Sequence, residues 1–504
     1  MKKLIIILTA AVMAVSCSDN LEDLNQNIKD PASVSGESLF SSAQKQLADQ
    51  IVTPNVNLNN NRLWVQYWQE TTYTDESNYD QVTRPIPGNH WREMYRDVLK
   101  DLSEAARIIE ATDNPLTNDR KQNKLAIIEI LSVYAWSNLV ETFGDVPYSE
   151  ALDIDNVLPK YDDGLTIYKD LIARVTAAVN SMNSSGSFAD NGKVDLMYNG
   201  NVANWKKFGN SLKLRMGIML ADVDAGLSKS TVESAVTSGV FTSNADNGSY
   251  LYSANAPNNN PVNDNLVLSG RNDYVAAATI VDIMNNLDDP RRASYFELHE
   301  GSYVGGVIGD AATYANHSHV AARIQDPTEP GVLLSYVEVE FLMSEAAARG
   351  YNVGGDAESH YVAGITASFD YWNAPDVASY LANPAVDYTS ALAASTSDPK
   401  WKMVIGTQAY LGLYNRTFAP YLSVRRLDYP ILTEPTEAQS GFPVRYTYPV
   451  TEQTLNGTNY QAASTAIGGD LPETRLFWDK FYTFDYKKYR QMELRKTKTH
   501  TNPA

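Results

Sequence analysis

One cysteine stands in 504 residues, Cys17, so no disulfide can form within the chain. Histidine is nearly as scarce, at six. The close pair His317-Ser-His319 would set two imidazoles on one side of a strand, short of the three or four ligands a metal needs, so neither metal nor cofactor is expected. Positive charge is outweighed, with Lys and Arg at 41 against Asp and Glu at 60, a net −19. A phosphate backbone demands a basic footprint, which excludes nucleic acid as an expected partner. Long apolar runs are missing beyond the N-terminus, where none reaches the roughly 20 residues that span a bilayer without charged or strongly polar interruptions. Catalytic signatures are missing as well: no Gly-x-x-x-x-Gly-Lys-Ser/Thr loop, no His-Glu-x-x-His, no Gly-x-Ser-x-Gly elbow. Asp222-Val-Asp224 opens like a calcium loop, but Gly226 takes its fifth position and Leu227 the sixth, where glycine is required.

What is present begins at the N-terminus. Lys2 and Lys3 precede an apolar stretch over 4–15, a signal-peptide pattern too short to span a bilayer. Ala14-Val15-Ser16 then leads into Cys17, which looks like a lipobox cysteine, although Ala14 stands where leucine is commonest. In that reading residues 1–16 are cleaved, Cys17 is lipidated, and residues 17–30 form a tether. More than one acyl chain makes such an anchor durable. Ser18-Asp19-Asn20-Leu21-Glu22-Asp23 resembles the acidic export signal that carries lipoproteins of Bacteroidetes-type bacteria to the cell surface; a plain polar tether is the other reading.

Helical spacing dominates the first half. Trp91, Tyr95, Val98, Leu102, Ala106 and Ile109 share one face, with Asn89 as an N-cap candidate. Leu125, Ile128, Leu131, Ala135 and Leu139 make a second helix, stopped near Phe143 by Gly144 and Pro147. A third runs from Leu165 to Met182, capped by Asp162 or Asp163, and a fourth from Trp205 to Met219. Leu334, Val337, Phe341 and Ala348 predict a helix ending at Gly350, with a partner through Tyr361, Ile365 and Phe369. Paired helices with Ala and Gly at their crossings are similar to tetratricopeptide repeats, though without a clean consensus period. Polar stretches over 244–273 and 433–470 read as long loop insertions, and 444–450 alternates like a short strand. The expected fold is mainly α: one large domain over 31–481, a scaffold of helix pairs with long loops.

Several segments resemble the SusD/RagB family of outer-membrane nutrient-binding lipoproteins. They are FGDVPYSEAL at 143–152, NWKKFGNSLKLRMGIML at 204–220 and LVLSGRNDYVAAATIVDIMNNLDDPRRASYF at 266–296. LSYVEVEFLMSEAAARGY at 334–351, VRRLDYP at 424–430 and GFPVRYTYPVTEQTLN at 441–456 complete the set, in family order. Each is weakly specific alone, and the ordered set is strong. The resemblance implies a lipid-anchored protein exposed on the outer membrane, binding an oligosaccharide or other small nutrient without catalysis. It also implies delivery to a SusC-like TonB-dependent transporter. A surface glycoside hydrolase is the enzyme alternative, since carboxylates abound, but hydrolysis needs two of them at a defined separation. A structural or adhesive lipoprotein is the third reading. The basic extension over 482–504 departs from the family pattern.

The 31 tyrosines and 8 tryptophans suit sugar rings, with a flat apolar face and a polar edge, although most are expected to fill the core. The candidate ligand residues are Trp68, Tyr73, Asp75, Asn78, Tyr79 and Asp80. Tyr73 and Tyr79 lie where periodicity is lost, while Trp64, Tyr67 and Trp68 at helical spacing lean toward the core. Tyr274, Tyr303, Tyr314 and Trp372 are runners-up. Arg215, Arg271, Arg291, Arg292, Arg425 and Arg426 read as ion-pair partners for carboxylates rather than as ligand clamps.

Overall fold

The computed structural model describes residues 34–111, 118–183 and 194–480. Cys17, the leader, the tether and the basic extension lie outside them. The protein is mainly α. Its first half stacks helices α1 (Gly36–Val52), α2 (Lys100–Ala111), α3 (Asn118–Phe143), α4 (Gly164–Ser181), α5 (Val202–Met219) and α6 (Ala225–Ser238). Its second half pairs α7 (Tyr336–Ala348) with α8 (Ala357–Trp372), and α9 (Trp401–Gly412) with α10 (Phe418–Leu427).

Short polar residues start several of these helices by accepting otherwise unpaired backbone N–H groups. Asp163 accepts from Thr166 at α4, Asn201 from Ala203 and Asn204 at α5, Asp224 from Leu227 at α6, Ser335 from Glu338 at α7 and Asp356 from Ser359 at α8. Asp224, the third position of the apparent calcium loop, is thus a helix cap, and Asp222 pairs with Arg349 at 2.7 Å. The Asn89 expectation is corrected. The helix starts at Ile86 behind Pro85, and Asn89 sits inside it, because proline at the entry supplies the fixed φ that opens a helix. That helix, Ile86–Arg92, runs through a π-helical turn, Glu93–Leu99, into α2.

Helices α4 and α5 approach closely because Gly209 carries no side chain; a Cβ there would stand 2.5 Å from Val179 Cγ2. Helix α3 is long and apolar enough to cross a membrane, but 89% of its most apolar window is buried by its neighbours. It ends at Gly144, whose φ of +92° suits glycine. Beyond it, Asp145 Oδ1 accepts the Gly164 N–H at 2.8 Å, and Asp162 Oδ2 accepts those of Tyr148 and Ser149. The FGDVPYSEAL segment is therefore an α3–α4 connector.

Among the described residues, strands are short antiparallel pairs: β1 (Trp68–Glu70) with β5 (Tyr274–Ala276), β2 (Val146–Pro147) with β3 (Tyr161–Asp162), and β4 (Gly248–Tyr250) with β6 (Gly331–Leu334). Residues 444–450 are not among them. Val444, Tyr446 and Tyr448 do point inward, but the Val444 N–H donates to Pro472 and that of Tyr446 to Thr142, so the segment is extended without a partner strand. The 433–470 stretch also holds two helices, Val450–Leu455 and Gly457–Ala466.

One hydrophobic cluster runs from Phe40 to Trp478, and a smaller one packs between α7, α8 and α9. Arginines are buried among them. Arg291 pairs with Asp289 at 2.6 Å, both fully buried, and donates to Ser368 on α8. Arg271, Arg292 and Arg426 face Asp273, Asp288 and Glu345. Arg425 differs: its guanidinium lies between Tyr421 and Trp478, 4.5 and 4.2 Å from the ring centres, and donates to the Glu141 carbonyl.

Candidate ligand-binding surface

The β1–β5 ribbon, with Trp68 opposite Ala276 and Glu70 opposite Tyr274, launches the segment that carries the candidate residues. Residues 71–84 leave the end of β1 and return to the Ile86–Arg92 helix. Tyr73 and Tyr79 both take left-handed backbone, φ +55° and +69°, a conformation that bulky residues seldom adopt and that surrounding contacts must hold.

The six candidates divide by depth. Tyr73 is 70% exposed, with its ring free on the surface. Asp75 and Asp80 are partly exposed. Trp68, Asn78 and Tyr79 are buried and offer no face to solvent. Trp68 donates from Nε1 to the Tyr414 hydroxyl at 2.9 Å, under the Arg62 guanidinium. Tyr79 turns inward against Phe442, ring centres 5.9 Å apart, and its hydroxyl accepts from Gln66 Nε2.

Asn78 joins three segments distant in sequence. Its Nδ2 donates to the carbonyls of Thr74 and Gly309, each at 2.9 Å, and its Oδ1 accepts the Glu437 N–H at 2.9 Å. Its own carbonyl accepts from Gln439. Asp80 accepts the N–H groups of Val82 and Thr83. Burial alone would raise its carboxyl, but these bonds, the Thr83 hydroxyl and nearby Arg84 outweigh it and hold the group below its ordinary value. Asp75 lies 3.7 Å from Arg84, which also pairs with Glu76.

Beneath the segment, Glu70 Oε2 accepts from the Ser77 N–H and hydroxyl at 3.0 and 2.8 Å. Burial, and then the charge of neighbouring Glu76, push the Glu70 carboxyl up, so it stays protonated at neutral pH. Burial also raises Glu76, against the pull of Arg84.

Two further segments border this surface. The Glu70 carbonyl accepts the Ala312 N–H at 3.0 Å, which brings residues 307–319 alongside. There Tyr314 stacks on His319, ring centres 3.8 Å apart and 13° from parallel, with the Tyr314 ring half-buried. His317 Nδ1 lies 2.8 Å from the Thr313 carbonyl, and the two histidines sit in irregular backbone rather than on a strand, so the expected one-sided pair is corrected. Among the described residues no group of three or more His, Cys, Asp or Glu side chains is placed to hold a metal. The other border is 431–439, tied in by Thr436 donating to Asp310 at 2.7 Å. Of the runners-up, Trp372 and Tyr274 are core residues, while Tyr303 packs under Arg292. The 431–439 wall was missed as a partner of the 71–84 segment. Its only sequence signal was its place in a long polar stretch.

No curated protein matches the chain. Solved structures do. A SusD homologue from Bacteroides uniformis shares 27% identity at a TM-score of 0.73, covering 88% of this chain and 99% of that one. A chitin-binding SusD homologue from Flavobacterium johnsoniae shares 24% identity at 0.73, over 88% and 98% of the two chains. A further chitin-binding protein shares 24% identity at 0.75, over 89% and 100%. Residues 28–449 match the SusD-like family described as starch-binding and associating with the outer membrane, and the chain belongs to that family.

Proposed function

We propose that this protein is a lipid-anchored receptor on the cell surface that binds a glycan at the 71–84 segment and passes it, unaltered, to a TonB-dependent barrel. The observation that carries the reading is Tyr73, an exposed aromatic ring on left-handed backbone, in a segment whose Ser77 and Asn78 are tied to Glu70, Gly309 and Glu437. Exposed rings cost a protein solubility, and one fixed in a strained conformation at a loop crest is suited to a partner. A tyrosine face covers the C–H side of a sugar ring while hydroxyls find polar groups. Asp75 and Asp80 are the nearby acceptors, and Trp68, Asn78 and Tyr79 are the support. Starch in the family description, and chitin in the names of two structural relatives, direct the search to glucose- and N-acetylglucosamine-based oligosaccharides.

The test is calorimetric titration of the purified protein with both oligosaccharide series, followed by analysis of the recovered sugar. Saturable binding with the sugar returned intact supports a receptor. Turnover abolished by a single carboxylate substitution would support a hydrolase instead. Delivery is tested by mild solubilisation of native membranes, where a large barrel protein should co-purify in near-equal amount. A stable assembly of that kind buries more than about 2,000 Å².

A further inference from the structure

The connector between α3 and α4 holds aliphatic side chains out in solvent. Ile154 is 85% exposed and Val157 79%, and Leu158 beside it is exposed too. Several such residues together mark a surface made to be covered. The backbone that carries them is tied down. Asp153 Oδ1 accepts the Asp155 N–H, and Glu150 accepts that of Lys160. The Leu158 and Pro159 carbonyls accept from the side chains of Asn459 and Asn456 at 3.0 and 2.8 Å, which sets the connector against the helices Val450–Leu455 and Gly457–Ala466. Leu455, 73% exposed, stands next to Asn456. Segments 297 residues apart thus bring exposed aliphatics to one place.

The charge around them has one sign. Residues 150–163 hold five carboxylates, Glu150, Asp153, Asp155, Asp162 and Asp163, against Lys160 alone. Lys160 itself pairs with Glu150 at 3.4 Å. That rim repels an anionic lipid surface, so the complement of this face is a segment both apolar and basic. One stretch of this acidic chain has that composition. Residues 481–504 carry six Lys and Arg against Asp485 and Glu493, and five of the residues in 481–489 are Phe or Tyr. The described chain also arrives at Lys480 from beside the connector. The Phe477 ring packs on that of Tyr168, centres 5.5 Å apart, and a Cβ on Gly164, the first residue of α4, would lie 3.2 Å from it. The 24 residues that follow can span up to about 80 Å. Belonging to the same chain, they meet this face at an effective concentration that a separate partner has to supply by diffusion.

We propose that residues 481–504 dock on the α3–α4 connector, with aromatic rings against Ile154, Val157, Leu158 and Leu455 and basic side chains against Asp153 and Asp155. The basic extension is then a strap across the face that the connector shares with the 450–466 helices. While it is in place, that face is closed to other proteins.

Carbodiimide cross-linking of the full chain, read by mass spectrometry, tests the proposal, because it joins amines to carboxylates in direct contact. Lys487 or Lys488 should be found joined to Asp153 or Asp155. A mixture of 15N-labelled and unlabelled protein identifies the occupant: links within one isotope support docking in the same chain, and links of mixed isotope would overturn it in favour of a second copy. Hydrogen exchange gives an independent readout. Lys487→Glu, Lys488→Glu and Arg490→Glu together should speed exchange over 153–160 and 456–460 at least threefold while α3 and α5 stay as they were. Adding Asp153→Lys and Asp155→Lys should restore the protection. No cross-link, or exchange unmoved by the charge reversal, would overturn the proposal.

Discussion

Replacing Asn78 by alanine tests how the ligand surface is held. The substitution deletes an amide that serves three segments: it donates to the Thr74 and Gly309 carbonyls and accepts the Glu437 N–H. Asn78 is 3% exposed, so water does not readily replace the missing group. An unpaired buried polar group costs about 1–3 kcal/mol. Three partners are affected, two of them beside exposed chain where relaxation recovers part of the loss, so the expected cost is about 2–4 kcal/mol. Because the amide ties loops rather than helices, that cost falls on local opening of the surface before it reaches the global transition. Hydrogen exchange followed by mass spectrometry is the assay. Amides in 74–84, 307–312 and 435–441 should lose protection by about thirtyfold or more, at about 1.4 kcal/mol per factor of ten, while α3, α4 and α5 exchange as before. Asn78→Ala protected like the wild type in all three segments would refute the claim that this side chain joins them.

Further consequences concern titration and anchoring. The Glu70 carboxyl is raised from its ordinary 4.5 to about 9, by burial first and by Glu76 second, so above pH 4.5 the folded state holds a proton that the unfolded chain has released. This group's share of stability therefore falls as pH rises from about 4.5 towards 9, and Glu70→Gln should flatten the decline of Tm across that window; parallel wild-type and variant curves would contradict the buried pair. Cys17→Ala should release the protein from the outer membrane and abolish palmitate labelling, measured by fractionation, and continued labelling would remove the lipobox reading.

The helix pairs were legible because their signals are local. Apolar spacing gave the buried faces of α3, α4 and α5, Asp163 did cap α4, and Gly144 did end α3. Where two local signals competed, the sequence was less decisive: Pro85 opened the helix that Asn89 seemed to cap. Alternation over 444–450 suggested a strand, but burial there does not alternate, with Arg445 buried and Val450 exposed, and the segment's hydrogen-bond partners at Thr142 and Pro472 come from distant chain. The candidate surface was legible only as a neighbourhood. Tyr73 and Tyr79 have the same residue type, similar flanks and similar backbone, yet one ring is exposed and the other is packed on Phe442, more than three hundred residues away. Asn78 reads as a ligand amide in sequence because its partners at Gly309 and Glu437 are contributed by tertiary structure.

The most direct test of the account is affinity and stability measured together on Tyr73→Ala, by calorimetric titration with the glycan the wild type binds and by thermal melting. An exposed ring contributes little to folding, so stability should change by no more than about 0.5 kcal/mol, as for a surface substitution, and Tm should barely move. Loss of one stacking face should weaken binding by roughly 1–3 kcal/mol, about tenfold or more. Unchanged affinity at unchanged Tm would contradict the account and move the ligand site off the 71–84 segment.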